Sequence, residues 1–189
     1  MGVTNSIWTR RVILMAIVGL AVAIPATIIL RDGDDEPAAE PGIEEQLPLN
    51  PAVKNDRLKA SYQIPKGWKA QKKNGVLTLR SDDRSVRIGL AAPAPADEAG
   101  QLLDATLASL KGSYESVEVN PGSGKKVGGL RAEGAVVHAE GDKINLNILV
   151  SVMAGRKRAY LLEVFTPAGA PGTAVAQAQQ FLNSLKLKG

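Results

Sequence analysis

The chain has 189 residues and a mass of 19.9 kDa, with 44% hydrophobic and 22% charged residues, which is enough for one or two modest domains with a real core. It contains no cysteine and one histidine, so disulfides, thiolate metal sites, cysteine nucleophiles and two-histidine chemistry are excluded. The net charge of +4 hides an uneven distribution, because the part from Ala52 onward carries 20 basic and 12 acidic residues.

An uncharged apolar segment of 19 residues lies near the N-terminus, from Val12 to Leu30. As a helix with a rise of ~1.5 Å per residue it would measure about 28 Å, close to the ~30 Å hydrocarbon core of a bilayer. Arg10 and Arg11 precede the segment and mainly acidic residues follow it, so the basic flank should stay in the cytoplasm. We therefore expect a cytoplasmic N-terminus over 1–11, a single transmembrane helix over 12–30 that anchors the chain in the plasma membrane, and an extracytoplasmic C-terminal domain.

A cleaved signal peptide is the alternative for this segment. Ala21-Val22-Ala23 is a small-x-small site after a short apolar run. Cleavage there would leave the apolar run up to Leu30 on the mature N-terminus, which favours an uncleaved anchor. Both possibilities export the rest of the chain.

The segment 31–55 has the composition of a linker. Seven acidic residues and no basic one lie between Asp32 and Pro51, together with four prolines. Such a segment is a stiffened, solvated tether. It could serve solubility alone, lie over a basic face of the domain, or be repelled from anionic lipid so that the domain stands away from the membrane.

The region 56–189 predicts one α+β domain. Asn74-Gly75 is a strong hairpin signal, and a polar turn followed by the alternation from Val86 to Leu90 adds a third strand to form a meander. Leucines at three- and four-residue intervals predict a helix with Asp97 as its N-cap, and a second helix follows with Thr173 as its N-cap.

Longer strands lie between the two helices. They cover Leu130–Ala139, Ile144–Met153 and Ala159–Thr166, joined by turns at 140–143 and 155–158. The strand over 144–153 is apolar on both faces for part of its length. We therefore predict an α/β/α sandwich, in which a central antiparallel sheet is covered by a helix on each side.

This order of elements, with the motif Pro65-Lys66-Gly67-Trp68 before the first hairpin and Arg158-Ala159-Tyr160 leading the strand before the C-terminal helix, resembles the PsbP-like fold. That group includes the photosystem II subunit PsbP and actinobacterial envelope lipoproteins of the LpqN type. The resemblance implies a non-enzymatic accessory domain that binds proteins or envelope components. The chain differs from the LpqN type because it has an apolar anchor in place of a lipidated cysteine.

Three features could carry chemistry, and each has a simpler interpretation. His138 has no serine or acid in a triad pattern, so we interpret it as a strand histidine near a sheet edge. Asp82-Asp83, followed by Arg84 and Ser85, is typical of a turn. The segment 122–126 departs from the phosphate-loop spacing and is interpreted as a flexible loop. We predict no catalytic residue, no metal site and no cofactor.

Basic clusters are the stronger candidates for a binding surface. Arg156, Lys157 and Arg158 occupy one turn, and Lys125 and Lys126 occupy a glycine-rich segment. Further lysines surround the first hairpin, at Lys66, Lys69, Lys72 and Lys73. If these clusters are adjacent they attract anions, and if they are separate they are solvated turn residues. Nucleic acid is not expected, because no aromatic residues interleave with the basic ones.

Three hypotheses for the function follow. The first is a membrane-anchored binding or scaffolding domain of the cell envelope, with an envelope protein, lipid or acidic polymer as partner. The second is a carrier for a lipid or another apolar molecule, which requires a continuous apolar cavity. The third is a hydrolase that uses acidic residues alone, which requires two of its acids to face one cleft about 5 to 10 Å apart. The acids in question are Glu115, Glu118, Glu133 and Glu163.

Overall fold

The structure is a computed structural model, and it describes residues 47–141 and 144–188. The predicted transmembrane segment 12–30 and residues 31–46 of the predicted linker lie outside these ranges. Within them, neither helix has the length and apolar character needed to cross a bilayer.

The described ranges form an α+β domain. Its helices are α1 (Ala99–Lys111) and α2 (Gly172–Ser184), and a short 3₁₀ turn, Ala96–Glu98, precedes α1. The strands are β1 (Val53–Asn55), β2 (Ala60–Tyr62), β3 (Lys69–Lys73), β4 (Val76–Arg80), β5 (Arg87–Ala94), β6 (Ser116–Val127), β7 (Leu130–Gly141), β8 (Ile144–Ala154), β9 (Ala159–Pro167) and β10 (Lys186–Leu187).

Seven of the strands form one antiparallel sheet in the order β3-β4-β5-β9-β8-β7-β6. The predicted meander is β3-β4-β5, and the predicted turns at 140–143 and 155–158 connect paired strands. A smaller sheet has the order β1-β2-β10. The strand β1 lies inside the range 31–55 that the sequence assigned to the linker.

Each face of the large sheet has its own hydrophobic core. On the α1 face, Leu102 and Leu110 of α1 pack on residues such as Ile148 of β8. On the α2 face, Phe181 of α2 packs with Leu162 of β9 and with the small sheet. All nine residues of β9 are buried, because that strand lies between the two cores. The predicted layering of helix, sheet and helix is therefore present in the described residues.

The Pro65–Trp68 motif connects the start of the β3–β4 hairpin to α2. Gly67 has φ +83°, which allows the chain to turn before β3. Trp68 is 7% exposed, and its indole Nε1–H donates a hydrogen bond of 2.8 Å to Oε1 of Gln177. The motif therefore has a structural role, because it satisfies the polar atom of a buried indole on the helix that covers this face.

The helix caps differ from the prediction. Asp97 lies within the 3₁₀ turn, and Glu98 is the residue at the N-cap of α1, without a side-chain cap hydrogen bond. Thr173 lies inside the first turn of α2, because Pro171 occupies the N-cap and its carbonyl accepts the N–H of Ala174 at 2.9 Å. In both helices a preceding proline fixes the backbone where the sequence pattern indicated a polar cap.

The interpretation of residues 122–126 as a flexible loop was wrong. The edge strand β6 includes these residues and pairs with β7 on both sides of an irregularity between Ser123 and Lys126. A β-bulge accommodates the glycines without ending the strand, because the pairing resumes with Lys126 opposite Arg131.

Candidate functional site

The register of the large sheet brings separate basic turns to one end. Ala159 at the start of β9 pairs with Ala154 at the end of β8 and with Ala94 at the end of β5. On β6, two strands from β8 in the sheet, Lys126 pairs with Arg131 of β7 beside the β6–β7 turn. The β3–β4, β6–β7 and β8–β9 turns therefore lie at the same end of the sheet.

We call the charged residues at this end of the sheet the basic end. It includes all five residues of the predicted basic surface. Its members are Arg57, Lys59, Lys72, Lys73, Lys125, Lys126, Arg131, Arg156, Lys157, Arg158 and Lys188. Arg158 is half-buried and the others are exposed, so their charges are accessible to a partner.

Hydrogen bonds to backbone carbonyls connect the turns of the basic end. Nη1 of Arg158 donates a hydrogen bond of 2.9 Å to the backbone carbonyl of Arg57. The N–H of Lys188 donates to the carbonyl of Lys59 at 2.9 Å, and the N–H of Leu187 donates to Gly128 at 2.8 Å. These contacts fix the β1–β2, β6–β7 and β8–β9 turns relative to one another through β10.

A tyrosine and four carboxylates also lie at the basic end. Burial raises the pKa of the Tyr160 phenol, while the charge of Arg158 acts in the opposite direction. The carboxylates in the same region are Asp56, Asp97, Glu98 and Glu133. They are fewer than the basic residues, so the end as a whole is positive.

A cavity of about 190 Å³ lies at the basic end, where α1 begins against β7 and β8. Ala99, Val152 and Ala154 line it together with Arg131 and Glu133. Because two charged residues contribute to its small lining, this cavity does not match the continuous apolar space that the carrier hypothesis requires.

The described chain begins at the opposite end of the sheet. The N–H of Lys66 donates to the carbonyl of Pro48 at 3.0 Å, and Leu49 forms a β-bridge with Pro65. The lysines around the first hairpin are therefore divided. Lys66 lies at this end, and Lys72 and Lys73 lie at the basic end.

Asp82-Asp83 forms part of a turn, as the sequence predicted. Asp83 accepts hydrogen bonds from Oγ of Ser81 at 2.5 Å and from the N–H of Ser85 at 3.0 Å. Burial alone would raise the pKa of Asp83, but these hydrogen bonds outweigh it and lower the pKa below its usual value. No cluster of three metal-ligating side chains occurs in residues 47–141 and 144–188.

His138 lies exposed on β7, next to the edge strand β6, and its Nδ1 contacts Oδ1 of Asn147. Among the candidate acids, Glu118 pairs with His138 on the α2 face. Glu133 lies on the α1 face of β7, and Glu163 lies on β9 with β8 between them. Glu133 and Glu163 therefore share the α1 face but lie two strands apart, whereas Glu118 is on the opposite face. Glu115 is exposed and immediately precedes β6.

Glu163 is a buried acid whose burial the sequence analysis did not predict. It is 1% exposed, and neither of its carboxyl oxygens has a hydrogen-bond partner within the described part of the chain. Burial raises its pKa from 4.5 to about 7, although the charge of Arg87 opposes this shift. A single acid in the run Ala159–Pro167, otherwise nearly all apolar, was the available signal.

Comparisons with known proteins support the fold. No family model matches the sequence, and no curated protein is significantly similar to it. The structure is similar to the solution structure of cyanobacterial PsbP (CyanoP) from Synechocystis sp. PCC 6803, with a TM-score of 0.54 and 14% identity over 80% of this chain and 99% of that chain. The domain therefore has a PsbP-like fold, as the resemblance of the sequence implied.

Two other solved structures are similar at TM-scores below 0.5. One is a protein from Bacteroides thetaiotaomicron, with a TM-score of 0.49 and 11% identity over 73% of this chain and 48% of that chain. The other is the type VI secretion immunity protein TplEi from Pseudomonas aeruginosa in complex with a peptide, with a TM-score of 0.43 and 11% identity over 60% of this chain and 47% of that chain. The present chain thus covers about half the length of each.

Proposed function

We propose that this protein is a membrane-anchored, extracytoplasmic, non-enzymatic binding domain of the cell envelope, and that its basic end contacts an acidic polymer. The observation that carries this proposal is the register of the sheet, which gathers basic turns that are remote in sequence. A surface with this excess of cations attracts polyanions and raises their association rate. The PsbP-like fold is compatible with a binding role but does not by itself define one.

The basic end is remote from the start of the described chain. The described chain starts beside Pro65, at the end of the sheet opposite the basic end. Strands of about nine residues separate the two ends by about 30 Å. A polymer bound at the basic end therefore need not contact Leu47 or Pro65, where the described chain starts.

The arrangement of the acids supports a non-enzymatic role. Acid-based glycoside hydrolysis needs two carboxyl groups that face one substrate. Here Glu118 lies on the α2 face and Glu133 on the α1 face. Glu163 shares the α1 face with Glu133, but β8 lies between them and Glu163 is 1% exposed, so a substrate does not reach it. The small, partly charged cavity beside Ala99 gives the carrier hypothesis no support.

The test measures binding of poly-L-glutamate to the full chain in an uncharged detergent. We expect the double variant Arg156→Gln/Lys157→Gln to bind the polymer at least about tenfold more weakly, because two exposed cations of the basic end are lost. Lys66→Gln/Lys111→Gln is the matched control, since it removes the same charge from exposed positions outside the basic end. Equal losses in the two variants would show that only net charge matters and would refute the proposal.

A second arm compares the polymer with lipid. For this comparison the full chain is reconstituted into uncharged vesicles without detergent, and poly-L-glutamate and vesicles that contain phosphatidylglycerol are offered to it separately. The proposal expects the polymer to bind more tightly than the vesicles at equal ionic strength. Tighter binding to the vesicles would contradict the polymer assignment while leaving the basic end as a binding surface.

A further inference from the structure

Three cations lie opposite one another on neighbouring strands, outside the basic end. Lys69 of β3 pairs with Arg80 of β4, and Arg80 pairs with Arg87 of β5. Residues paired directly across antiparallel strands have Cβ atoms about 5 Å apart, and like charges in such pairs are destabilising. We call these three residues the cation row.

The cation row lies on the α1 face of the sheet. Leu79 and Ile88, the neighbours of Arg80 and Arg87 along their strands, are buried in the core of the α2 face. Side chains alternate between faces along a strand, so both arginines are on the other face. Lys69 is exposed and the two arginines are half-buried, which leaves the row approachable from solvent.

Phe165 positions one end of the row. The guanidinium carbon of Arg87 lies 4.3 Å from the centroid of the Phe165 ring. Burial lowers the pKa of Arg87, the carboxyl of Glu163 opposes this effect, and the charge of Arg80 adds to the lowering. The two arginines are therefore close enough to repel each other.

Glu163 lies beside the row on the same face. It pairs with Gly89, two residues beyond Arg87 on β5, and with Val150 on β8. The charged or titratable groups that interact with it are Arg87 and Tyr114, the latter in the segment after α1. The inner residues of α1 are uncharged, namely Leu102, Thr106 and Leu110.

We propose that Lys69, Arg80 and Arg87 bind a small oxyanion, such as sulfate or a phosphate group, and that protonation of Glu163 strengthens this binding. Arginine guanidinium groups match the geometry of such anions, and a bound dianion would relieve the repulsion within the row. An ionised Glu163 supplies a competing negative charge next to Arg87, and a neutral Glu163 does not. This site is separate from the basic end and does not depend on the polymer partner.

The test is a calorimetric titration of the full chain, in an uncharged detergent, with sulfate at pH 6 and pH 8. Sulfate keeps its charge across this range. We expect its dissociation constant to be about two- to fivefold higher at pH 8, the change that corresponds over this pH range to a shift of half to one pKa unit in Glu163 on binding. Glu163→Gln should bind at pH 8 as the parent protein binds at pH 6.

Matched variants separate the cation row from other basic residues. Arg80→Gln should bind sulfate at least about tenfold more weakly, because one member of the row is lost. Lys126→Gln removes one charge from the basic end and should leave sulfate binding unchanged. Equal effects of the two substitutions would overturn the site. His138→Asn removes the one histidine of the chain, and loss of the pH dependence in that variant rather than in Glu163→Gln would overturn the role of Glu163.

Competition identifies the source of the oxyanion. Displacement of sulfate by inorganic phosphate, but not by phosphatidylglycerol vesicles, assigns the site to a free ion. If phosphate and the vesicles both displace sulfate, the site binds a phosphate group that a lipid headgroup can also present. Failure of both competitors to displace sulfate would contradict the site. Circular dichroism of Arg80→Gln confirms that a loss of binding is not a loss of folding.

Discussion

Arg158 donates a hydrogen bond from Nη1 to the backbone carbonyl of Arg57 at 2.9 Å, across 101 positions of sequence. This contact joins the β8–β9 turn of the large sheet to the β1–β2 turn of the small one. Both turns carry positive charge, so a hydrogen bond from an arginine side chain to a backbone carbonyl helps to hold like charges together. Solvent screens these exposed charges in the free protein, and a bound polyanion would replace that screening, as the functional proposal requires.

Gly134 is required by the close approach of β7 and β8. A Cβ atom at this position would lie 2.0 Å from the carbonyl oxygen of Val150. We expect Gly134→Ala to lower the free energy of unfolding by about 3 kcal/mol, because neither strand can move without disturbing its neighbours. Chemical denaturation followed by tryptophan fluorescence measures the effect.

The control for this prediction is Gly122→Ala on β6. Gly122 pairs directly with Gly134, but a Cβ atom there meets nothing within 4 Å. Its substitution should change the stability by less than about 0.5 kcal/mol. Similar effects at the two glycines would show that the strands do not approach as closely as described.

Gln177 stabilises the position of α2 through the indole of Trp68. Gln177→Ala would leave the buried Nε1–H without its acceptor, so we expect a loss of about 1 to 2 kcal/mol in the free energy of unfolding. Gln179→Ala is the matched control in the same helix, because Gln179 is exposed and its Nε2 donates to Oδ1 of the exposed Asn183. The prediction fails if the two alanine variants unfold at the same denaturant concentration.

Glu163 makes the stability of the domain depend on pH. Its folded-state pKa is raised from 4.5 to about 7, so between these values the folded protein keeps a proton that the unfolded chain has lost. The free energy of unfolding therefore decreases as the pH rises from 4.5 to about 7. The total decrease due to this carboxyl group is about 3 kcal/mol. Glu163→Gln removes the titration and should gain stability relative to the parent as the pH increases from 5 to 8.

Denaturation of both proteins at pH 5, 6.5 and 8 measures this difference. Glu118→Gln is the control, because Glu118 is exposed on the edge strand. The difference in the free energy of unfolding between Glu118→Gln and the parent should be nearly the same at all three pH values. A constant difference between Glu163→Gln and the parent would mean that the carboxyl group is not desolvated in the folded protein.

Local patterns predicted most of the elements. The Asn74-Gly75 turn lies between β3 and β4, and Asn74 has φ +51° and Gly75 φ +81°, as a hairpin of this kind requires. The apolar residues on both faces of β8 predicted the two cores. The caps of the helices were mispredicted because prolines outside the periodic pattern set the backbone there.

The candidate site depended on information that no local pattern contains. The sequence identified the clusters at 125–126 and 156–158, but their relative position follows from the order of the strands. In particular, β5 pairs with β9 rather than with the next strand in the chain. The cation row likewise depends on cross-strand register, since Lys69, Arg80 and Arg87 have no regular spacing in sequence.

The most direct test of the central claim is protease accessibility in intact cells or spheroplasts, with one tag at each end of the chain and detection by immunoblot. We expect external protease to remove the C-terminal tag, while the N-terminal tag stays protected on a chain of full, uncleaved length. A C-terminal domain that is protected until the cells are lysed would contradict the extracytoplasmic, membrane-anchored binding domain, and the partner of the basic end would then have to be sought in the cytoplasm.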